Sequence, residues 1–334
     1  MEQFFQLKQH GTTVRTEIMA GFTTFMAMAY ILMVNAGMFA ELEGQVTYNA
    51  VYIATAISAV IGTVLIGLLS NLPLAQASGM GLNAYFVYTV CFGIGLSYAN
   101  ALVLVLADGI IFTLLTITGL RRKIFDAIPS AVRMAIPAGI GLFIAFLGLQ
   151  NAGLVVDSST LVGLASFNLY SGTATWGSIM PMLVTFFALL AIAAMSRRGV
   201  KGSVLFGILG GAVAYYILGF TVPGFYDGFA ESLSFNPFTA FSEFAQLSFG
   251  KVFTEGFNFT PYIEANGMGS FVIMFITTAL AFCMVDMFDT LGTLYGACAR
   301  GGLLTKEGEV PHIDRAMLAD AIATTTGAIC GTST

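Results

Sequence analysis

The chain has 334 residues, of which 57% are hydrophobic and only 9% are charged, and its formal net charge is −5. Soluble domains carry roughly 25% charged residues. This composition therefore excludes an ordinary soluble protein and predicts an all-α polytopic membrane protein that lies in the lipid bilayer. The charges form no basic stripe, so we expect no nucleic-acid partner.

Nine apolar segments follow one another along the chain. A membrane-spanning helix needs about 20 mostly apolar residues. Continuous runs of this kind lie near 18–38, 50–69, 98–118, 136–156, 177–196, 202–220 and 270–296. Two weaker segments are 75–93, which Gly residues interrupt, and a segment rich in Ala and Thr from about Asp314 to the end. We expect each of the nine to cross the membrane.

The positions of Lys and Arg predict the orientation of these segments. Basic residues concentrate on the cytoplasmic side of membrane proteins. They form four clusters here: Lys8 and Arg15; Arg121, Arg122, Lys123 and Arg133; Arg197, Arg198 and Lys201; and Arg300, Lys306 and Arg315. The number of crossings between clusters must be even, which holds only if segment 75–93 also crosses. The interpretation is a multi-pass protein of the inner (plasma) membrane with a cytoplasmic N-terminus.

The number of crossings also suggests an internal repeat. Seven crossings precede the long segment 221–269, so a second set of seven would run with inverted orientation, as in many transporters. We therefore expect a first repeat over 1–220, an extracytoplasmic connection over 221–269 and the start of a second repeat over 270–334. On this interpretation the chain is truncated after about nine segments.

Segment 75–93 reads AQASGMGLNAYFVYTVCFG and is predicted to be a broken crossing. Ser78, Gly79 and Gly81 disfavour a continuous helix, and irregular backbone at membrane depth persists where it lines a cavity. We expect a short strand followed by a half-helix from about Leu82, with Asn83 offering a donor and an acceptor at the junction. The alternative is close helix packing through small residues.

The run Phe271 to Tyr295 carries two carboxylates. Asp286, Asp289, Thr290 and Thr293 are spaced i, i+3, i+4 and i+7, which places them on one helix face. A carboxylate in hydrocarbon costs at least ~2.5 kcal/mol, so this face is expected to look into protein or a water-filled cavity. Two neighbouring carboxylates resist double ionisation, which makes either one a natural proton carrier. The alternative is a structural ion pair or hydrogen bond.

Other residues fit less specific roles. Asp108 and Asp320 are also intramembrane acids, for which helix-to-helix hydrogen bonding is favoured over a proton relay. Phe25 lies where the repeat places a counterpart of the carboxylates, and it can either stack on a flat ligand or simply pack. The four cysteines are scattered, which indicates buried apolar side chains for at least three of them and neither a zinc site nor a disulfide framework. We expect no cofactor.

Several longer strings resemble a known family. NLPLAQASGMGLNAYFVYTV, IPAGIGLFIAFLGLQNAG, VDMFDTLGTLYG and IDRAMLADAIATTTGAICGTST are similar to sequences of the azaguanine-like purine permeases of the nucleobase-cation symporter-2 (xanthine/uracil permease) superfamily. The resemblance implies a 7+7 inverted-repeat fold with core and gate domains, often dimeric, that imports purine bases with protons. It implies that Asn83, Asp286 and Asp289 bind substrate. We add as candidates Thr290 and Gly81, which neighbour them in sequence, and Phe25 from its place in the repeat.

Three alternatives remain. A uracil or xanthine permease of the same superfamily is expected to carry a Glu-containing motif where VDMFDTLGT stands. A membrane-embedded enzyme is disfavoured because neither His10 nor His312 lies in a span and no HExxH or GxSxG motif is present. A passive channel would favour a filter repeated by oligomer symmetry over a single asymmetric row of acids.

Overall fold

The computed structural model describes residues 5, 7, 11–119, 129–200, 202–221, 236–306 and 308–333. Within them the chain is mostly helical. The helices are α1 (Val14–Met28), α2 (Tyr30–Ala40), α3 (Tyr48–Ser70), α4 (Met80–Ala84, continued as a π-helix over Tyr85–Gly93), α5 (Tyr98–Ile117), α6 (Ser130–Asn151), α7 (Trp176–Arg197), α8 (Ser203–Thr221), α9 (Pro237–Leu247), α10 (Lys251–Thr254), α11 (Thr260–Gly301) and α12 (Ile313–Cys330). A short hairpin, β1 (Val155–Ser158) and β2 (Leu161–Leu164), lies between α6 and α7.

Six helical stretches of the described residues are long and apolar enough to cross a membrane. They are Val14–Ala40, Tyr48–Ser70, Tyr98–Ile117, Trp176–Arg197, Ser203–Thr221 and Thr260–Gly301. Each coincides with a predicted run, which confirms a polytopic membrane protein. Of the basic clusters, Lys8, residues 121–123 and Lys201 lie outside the described residues.

The described chain forms two compact units. The first unit comprises the described residues of Met1–Gly21, Met28–Ile140 and Pro237–Thr334. The second comprises those of Phe22–Ala27 and Gly141–Asn236.

The first unit is built around α12. This helix packs against α3 and α5, while α2 and α9 pack on α3, and α11 packs on α5. The crossing of α5 and α12 is close because Gly109 has no side chain: a Cβ there would lie 2.9 Å from the backbone nitrogen of Thr325. Phe39, Phe86 and Leu102 belong to one buried core of this unit.

In the second unit, α7 and α8 pack against each other. Gly207 of α8 allows this contact, since a Cβ there would collide with the side chain of Ile192. A capping box fixes the start of α7, where the side chains of Thr175 and Ser178 each bond the other's backbone. The strands β1 and β2 pair antiparallel, with Val155 opposite Leu164.

Some predicted boundaries were wrong. The run 136–156 does not form one helix: α6 ends at Asn151, Gly153 adopts φ +71°, and Val155 begins the hairpin. The β-branched pair at 155 and 156 suits a strand once a glycine has turned the chain. The hairpin also means that the protein is not purely α-helical.

The connection 221–269 contains more structure than a loop. Residues 222–235 lie outside the described part, but 237–247 and 251–254 are helical. α11 begins with a short helical piece at Thr260, ten residues before the predicted run, and Gly267, with φ +83°, separates this piece by a kink from the longer one that carries the carboxylates. The predicted segment from Asp314 does form a helix, α12.

All four cysteines, Cys91, Cys283, Cys298 and Cys330, are buried and free. Their predicted role as buried apolar side chains is confirmed.

Candidate functional site

Segment 75–93, for which we keep the name broken crossing, has the predicted irregular start followed by a helix, with one difference from the prediction. Residues 71–79 are neither helical nor paired in a strand, and the helix begins at Met80, slightly before the expected Leu82. Gly79 caps it in an extended conformation, with φ −76° and ψ 115°. Gly81 lies half-buried in the first turn, and its carbonyl accepts the backbone N–H of Tyr85. The expected short strand does not form, since segment 71–79 has no neighbouring strand among the described residues.

Asn83 lies fully buried, with 0% of its surface exposed, at the centre of a polar cluster. Its Nδ2 donates to Oδ1 of Asn35 on α2. Its Oδ1 accepts the hydroxyls of Ser78, at 3.2 Å, and of Ser333. The side chain is thus engaged at both ends by the protein itself.

Asn35 extends this cluster to a third helix. Its Nδ2 donates to Oγ1 of Thr55 on α3, at 2.7 Å, and to Oγ1 of Thr332, at 2.9 Å. Buried amides of this kind are stable only when their partners are satisfied. We call the six side chains Asn35, Thr55, Ser78, Asn83, Thr332 and Ser333 the amide cluster.

The segment after α12 is held in place by residues distant in sequence. Gly331 adopts φ +92°, and its carbonyl accepts the hydroxyl of Tyr98 at 2.5 Å. Ser248 donates to the carbonyl of Cys330 at 2.9 Å, and the N–H of Gly250 donates to Ile329 at 2.8 Å. These contacts place Thr332 and Ser333 against the broken crossing.

The carboxylates of α11 lie inside the protein, as predicted. Asp286 is 4% and Thr290 is 8% exposed, whereas Asp289 is half-buried. The hydroxyl of Thr293 on the same face is more exposed and bonds the carbonyl of Asp289 at 2.8 Å. The face opposite is also covered, because Met287 and other apolar residues of α11 belong to a buried core.

Asp320 of α12 joins these groups. Its Oδ2 accepts the hydroxyl of Thr290 at 2.8 Å, which is the helix-to-helix hydrogen bond expected for it. Its Oδ1 accepts Nε2 of Gln76 from the broken crossing at 3.1 Å. Asp289 lies close enough for the carboxyl groups of Asp289 and Asp320 to repel each other. We call Gln76, Asp289, Thr290 and Asp320 the acid cluster.

The half-helix and α11 meet at Tyr85. Its ring contacts that of Phe282 edge to face, with 5.0 Å between ring centroids, and its hydroxyl hydrogen-bonds the side chain of Thr278. Phe282 is one turn before Asp286 on the same helix face. The broken crossing therefore lies directly beside the face that carries the carboxylates.

Five of the six predicted binding residues belong to the first unit: Gly81, Asn83, Asp286, Asp289 and Thr290. Phe25 belongs to the second unit, where its side chain is 56% exposed. Asp108, in α5, is fully buried.

The sequence interpretation missed Asn35, Gln76, Thr332 and Ser333. A signal was available for Asn35, which is the polar residue of an otherwise apolar helix. Asp320 was noticed as an intramembrane acid, but its partners Gln76 and Thr290 are 244 and 30 residues away in sequence.

The arrangement offers carboxylate acceptors, hydroxyls and amides beside irregular backbone. These groups can donate and accept hydrogen bonds to a polar ligand. The described residues include no group of three potential metal ligands.

Comparisons with known proteins agree with this chemistry. A model of the xanthine/uracil type, described as a permease family, matches residues 15–334. The chain is 37% identical to a putative permease of Methanocaldococcus jannaschii over 337 residues, which is 100% of this chain and 69% of that protein. It is 37% identical to the guanine/hypoxanthine permease PbuG of Bacillus subtilis over 344 residues, covering 100% of this chain and 70% of the relative. It is 32% identical to the adenine permease AdeP of Escherichia coli over 334 residues, covering 100% and 67%. The chain therefore belongs to this permease family, among its purine nucleobase permeases.

Proposed function

We propose that the protein imports purine nucleobases, of the hypoxanthine and guanine or the adenine type, by proton symport across the inner (plasma) membrane. The names of its relatives as guanine/hypoxanthine and adenine permeases support the class of substrate. The observation that carries the mechanism is the acid cluster beside the broken crossing: Thr290 and Gln76 bond Asp320, and Asp289 lies next to it.

The chemistry of a purine base fits such a site. The base is flat and neutral, and its edge alternates N–H donors with ring-nitrogen acceptors. A carboxylate of Asp286 or Asp289 can accept two neighbouring N–H groups, and the hydroxyl oxygen of Thr290, whose O–H is donated to Asp320, can accept an N–H of the base. Gly81 and Phe25 are the further proposed binding residues, and an aromatic side chain such as that of Phe25 can stack on a flat base.

Asn83 contributes to this site through the backbone it holds. Both ends of its side chain are bonded within the amide cluster, so it fixes the path of segment 75–93. Direct contact of its amide with a purine would require exchange of one of these bonds.

A neutral substrate needs a coupled ion for uphill movement. Asp286 and Asp289 are the proposed proton carriers, because carboxyl groups that lie together in a buried environment titrate as a coupled set. Movement of substrate and proton together follows if occupation of the site changes the protonation of this set.

The proposed fold is a 7+7 inverted repeat with core and gate domains. In such folds the broken crossings of the two repeats meet near the middle of the membrane. Two contacts support this: the hydroxyl of Ser78 lies 3.5 Å from the carbonyl of Ser333, and Ser333 bonds Asn83. We further propose a cytoplasmic N-terminus and a homodimer, as the resemblance to the purine permeases implies.

Uptake of labelled bases tests the proposal. Cells that lack their own purine carriers would express the protein, its Asp289→Asn variant and an Asp157→Asn control. Asp157 lies exposed in β1, so its substitution removes one negative charge outside the site. We expect saturable uptake of hypoxanthine or adenine that an uncoupler and Asp289→Asn both abolish and that Asp157→Asn leaves intact.

Two outcomes would contradict the proposal. If labelled uracil or xanthine enters and hypoxanthine, guanine and adenine do not, the substrate class is that of the alternative permeases. If uptake is saturable but unaffected by the uncoupler, the carboxylates do not couple transport to protons.

A further inference from the structure

We propose that Gln76 is a positioning residue for the coupled proton: its side-chain amide hydrogen-bonds Asp320 in both protonation states of the Asp289 and Asp320 pair. This inference rests on the proposed proton symport and adds a residue that neither the sequence motif nor the relatives' names assign.

The first observation is the fixed position of Gln76. Its backbone is held from α3, since its N–H donates to Oγ1 of Thr63 at 3.0 Å and its carbonyl lies 3.3 Å from the same hydroxyl. Two backbone contacts to one side chain hold an otherwise irregular segment. The amide of Gln76 therefore approaches Asp320 from a defined direction.

The second observation concerns the two ends of the amide. Nε2 donates to Oδ1 of Asp320 at 3.1 Å. Oε1 is buried and has no hydrogen-bond partner in the described part of the chain. A buried acceptor without a donor costs about 1–3 kcal/mol, so such a group in a native protein calls for an explanation.

The amide oxygen Oε1 of Gln76 lies beside Gly62, which has no side chain to occupy this space. A Cβ at Gly62 would be 2.7 Å from Oε1 of Gln76 and 3.1 Å from Cβ of Ala323. The terminal torsion of a glutamine is broad and roughly two-fold. The absence of a side chain at position 62 thus leaves room for either end of the amide.

Because Asp289 and Asp320 repel each other, a proton carried by Asp289 can be shared with Asp320, and protonation of Asp320 then has a simple consequence. An ionised carboxylate is an acceptor and takes a hydrogen bond from Nε2, whereas a carboxylic acid carries an O–H donor. When a proton binds Oδ1, a half-turn of the amide presents Oε1 as its acceptor, while Oδ2 still accepts from Thr290. No atom is lost or gained besides the proton. A fixed donor at position 76 would instead favour the ionised state alone.

Few other charged groups face Asp320. α11 contributes Asp289, which repels it, and the neighbouring turn carries Asp286. α5 contributes Asp108, next to Gly109 at the crossing with Thr325. α3 has no acidic or basic residue. On α12 itself, Asp314 and Arg315 lie in the first turn. Near the C-terminal end of α12, Lys251 of α10 pairs with Glu255. Among α3, α5 and α11, the basic residue is Arg300, in the last turn of α11. No basic side chain of these helices therefore competes with Gln76 beside Asp289 and Asp320.

The test separates substrate exchange from proton-driven accumulation. Vesicles with the full-length protein would be assayed for exchange of labelled against unlabelled hypoxanthine or adenine, and for accumulation driven by a proton gradient at several external pH values. For Gln76→Leu we expect accumulation to fall about ten-fold, as for one lost hydrogen bond to a carboxylate. We expect exchange to fall much less than accumulation, because the side chains proposed to bind the base are unchanged.

Two further variants make the test specific. Gly62→Ala retains Gln76 but crowds its amide, so it should show the same separation of exchange from accumulation. Gln76→Glu should regain accumulation only at acidic external pH, where a protonated glutamic acid can both donate and accept. A purely structural residue would not produce a pH-dependent rescue.

Gln45→Leu serves as the matched control. The amide oxygen of Gln45 accepts the backbone N–H of Tyr98 at 2.7 Å, so its loss should lower exchange and accumulation in parallel. If Gln76→Leu and Gly62→Ala also lower both in parallel, Gln76 is structural and the inference is wrong. If the wild type exchanges purines but never accumulates them with a proton gradient, the proposed symport fails and this inference falls with it.

Discussion

Asn83 of the broken crossing donates its side-chain amide to Oδ1 of Asn35 on α2, and this hydrogen bond joins two segments that are 48 residues apart in sequence. Through Asn35 the bond continues to Thr55 on α3 and to Thr332 beyond α12. Irregular backbone in the middle of a membrane protein needs such partners, since lipid offers none.

Removal of the Asn35 amide should destabilise the protein. Asn35→Ala leaves Nδ2 of Asn83 and the hydroxyls of Thr55 and Thr332 without this partner, at a cost of about 1–3 kcal/mol. We expect the melting temperature in detergent to fall by about 2 °C or more. Asn266→Ala is the control, because Asn266 is exposed and bonds the Tyr262 carbonyl of its own helix. Equal melting of the two variants would show that the amide cluster contributes little.

The crossing of α5 and α12 predicts a strict requirement for Gly109. A methyl group there would lie 2.9 Å from the nitrogen and 3.0 Å from the Cα of Thr325. Because backbone atoms cannot move aside easily, Gly109→Ala should cost about 1–3 kcal/mol. The matched change Gly67→Ala meets no atom within 4 Å and should be neutral or slightly stabilising. Thermal melting of both variants checks this, and a stable Gly109→Ala protein would show that the helices can separate without cost.

The helices could be predicted from sequence because hydrophobic length is a local property. The runs 50–69 and 177–196 correspond to Tyr48–Ser70 and Trp176–Arg197. The burial of Asp286 also followed from helix periodicity and the cost of a charge in lipid. The end of α6 did not, because an apolar run does not reveal where a glycine with positive φ turns the chain into a hairpin.

The polar clusters could not be predicted from local patterns. The partners of Asn83 lie at positions 35, 78 and 333, and those of Asp320 at 76 and 290. Such pairs form only when distant helices pack together. Sequence therefore indicated Asn83, Asp286, Asp289 and Asp320 as polar residues of apolar segments, but it missed Asn35 and Gln76 and could not show which side chains bond one another.

The hydroxyl of Thr290 should matter for transport more than that of Thr293. Thr290 donates to Asp320 on another helix, whereas Thr293 bonds the carbonyl of Asp289 on its own helix. Thr290→Val keeps the shape and removes the donor, so uptake of labelled base should fall by about three- to ten-fold. Thr290→Ser should retain most of the activity, and Thr293→Val should behave as the wild type. Loss of uptake in Thr293→Val but not in Thr290→Val would contradict the assignment of the acid cluster.

Two features of Gly331 disfavour a side chain: its positive φ and its close contacts. Gly308 has only the first of these features, so the two glycines together separate their effects. The φ of Gly331 is +92°, and a Cβ would lie 2.6 Å from both the carbonyl oxygen of Ser248 and the hydroxyl of Tyr98. Gly308 has a similar φ of +80° but nothing within 4 Å. Gly308→Ala should therefore cost about 1–2 kcal/mol, the penalty of the left-handed conformation alone.

Gly331→Ala adds a collision to that penalty, typically about 1–3 kcal/mol more. It should also displace Thr332 and Ser333 from the amide cluster, because the Tyr98 hydroxyl holds the Gly331 carbonyl. We expect a lower melting temperature than for Gly308→Ala, together with faster maleimide labelling of the adjacent buried Cys330 in a protein whose other three cysteines are replaced. If Cys330 stays protected and the two variants melt alike, the strain at position 331 is that of its backbone conformation alone, and the contacts with Ser248 and Tyr98 do not hold the segment.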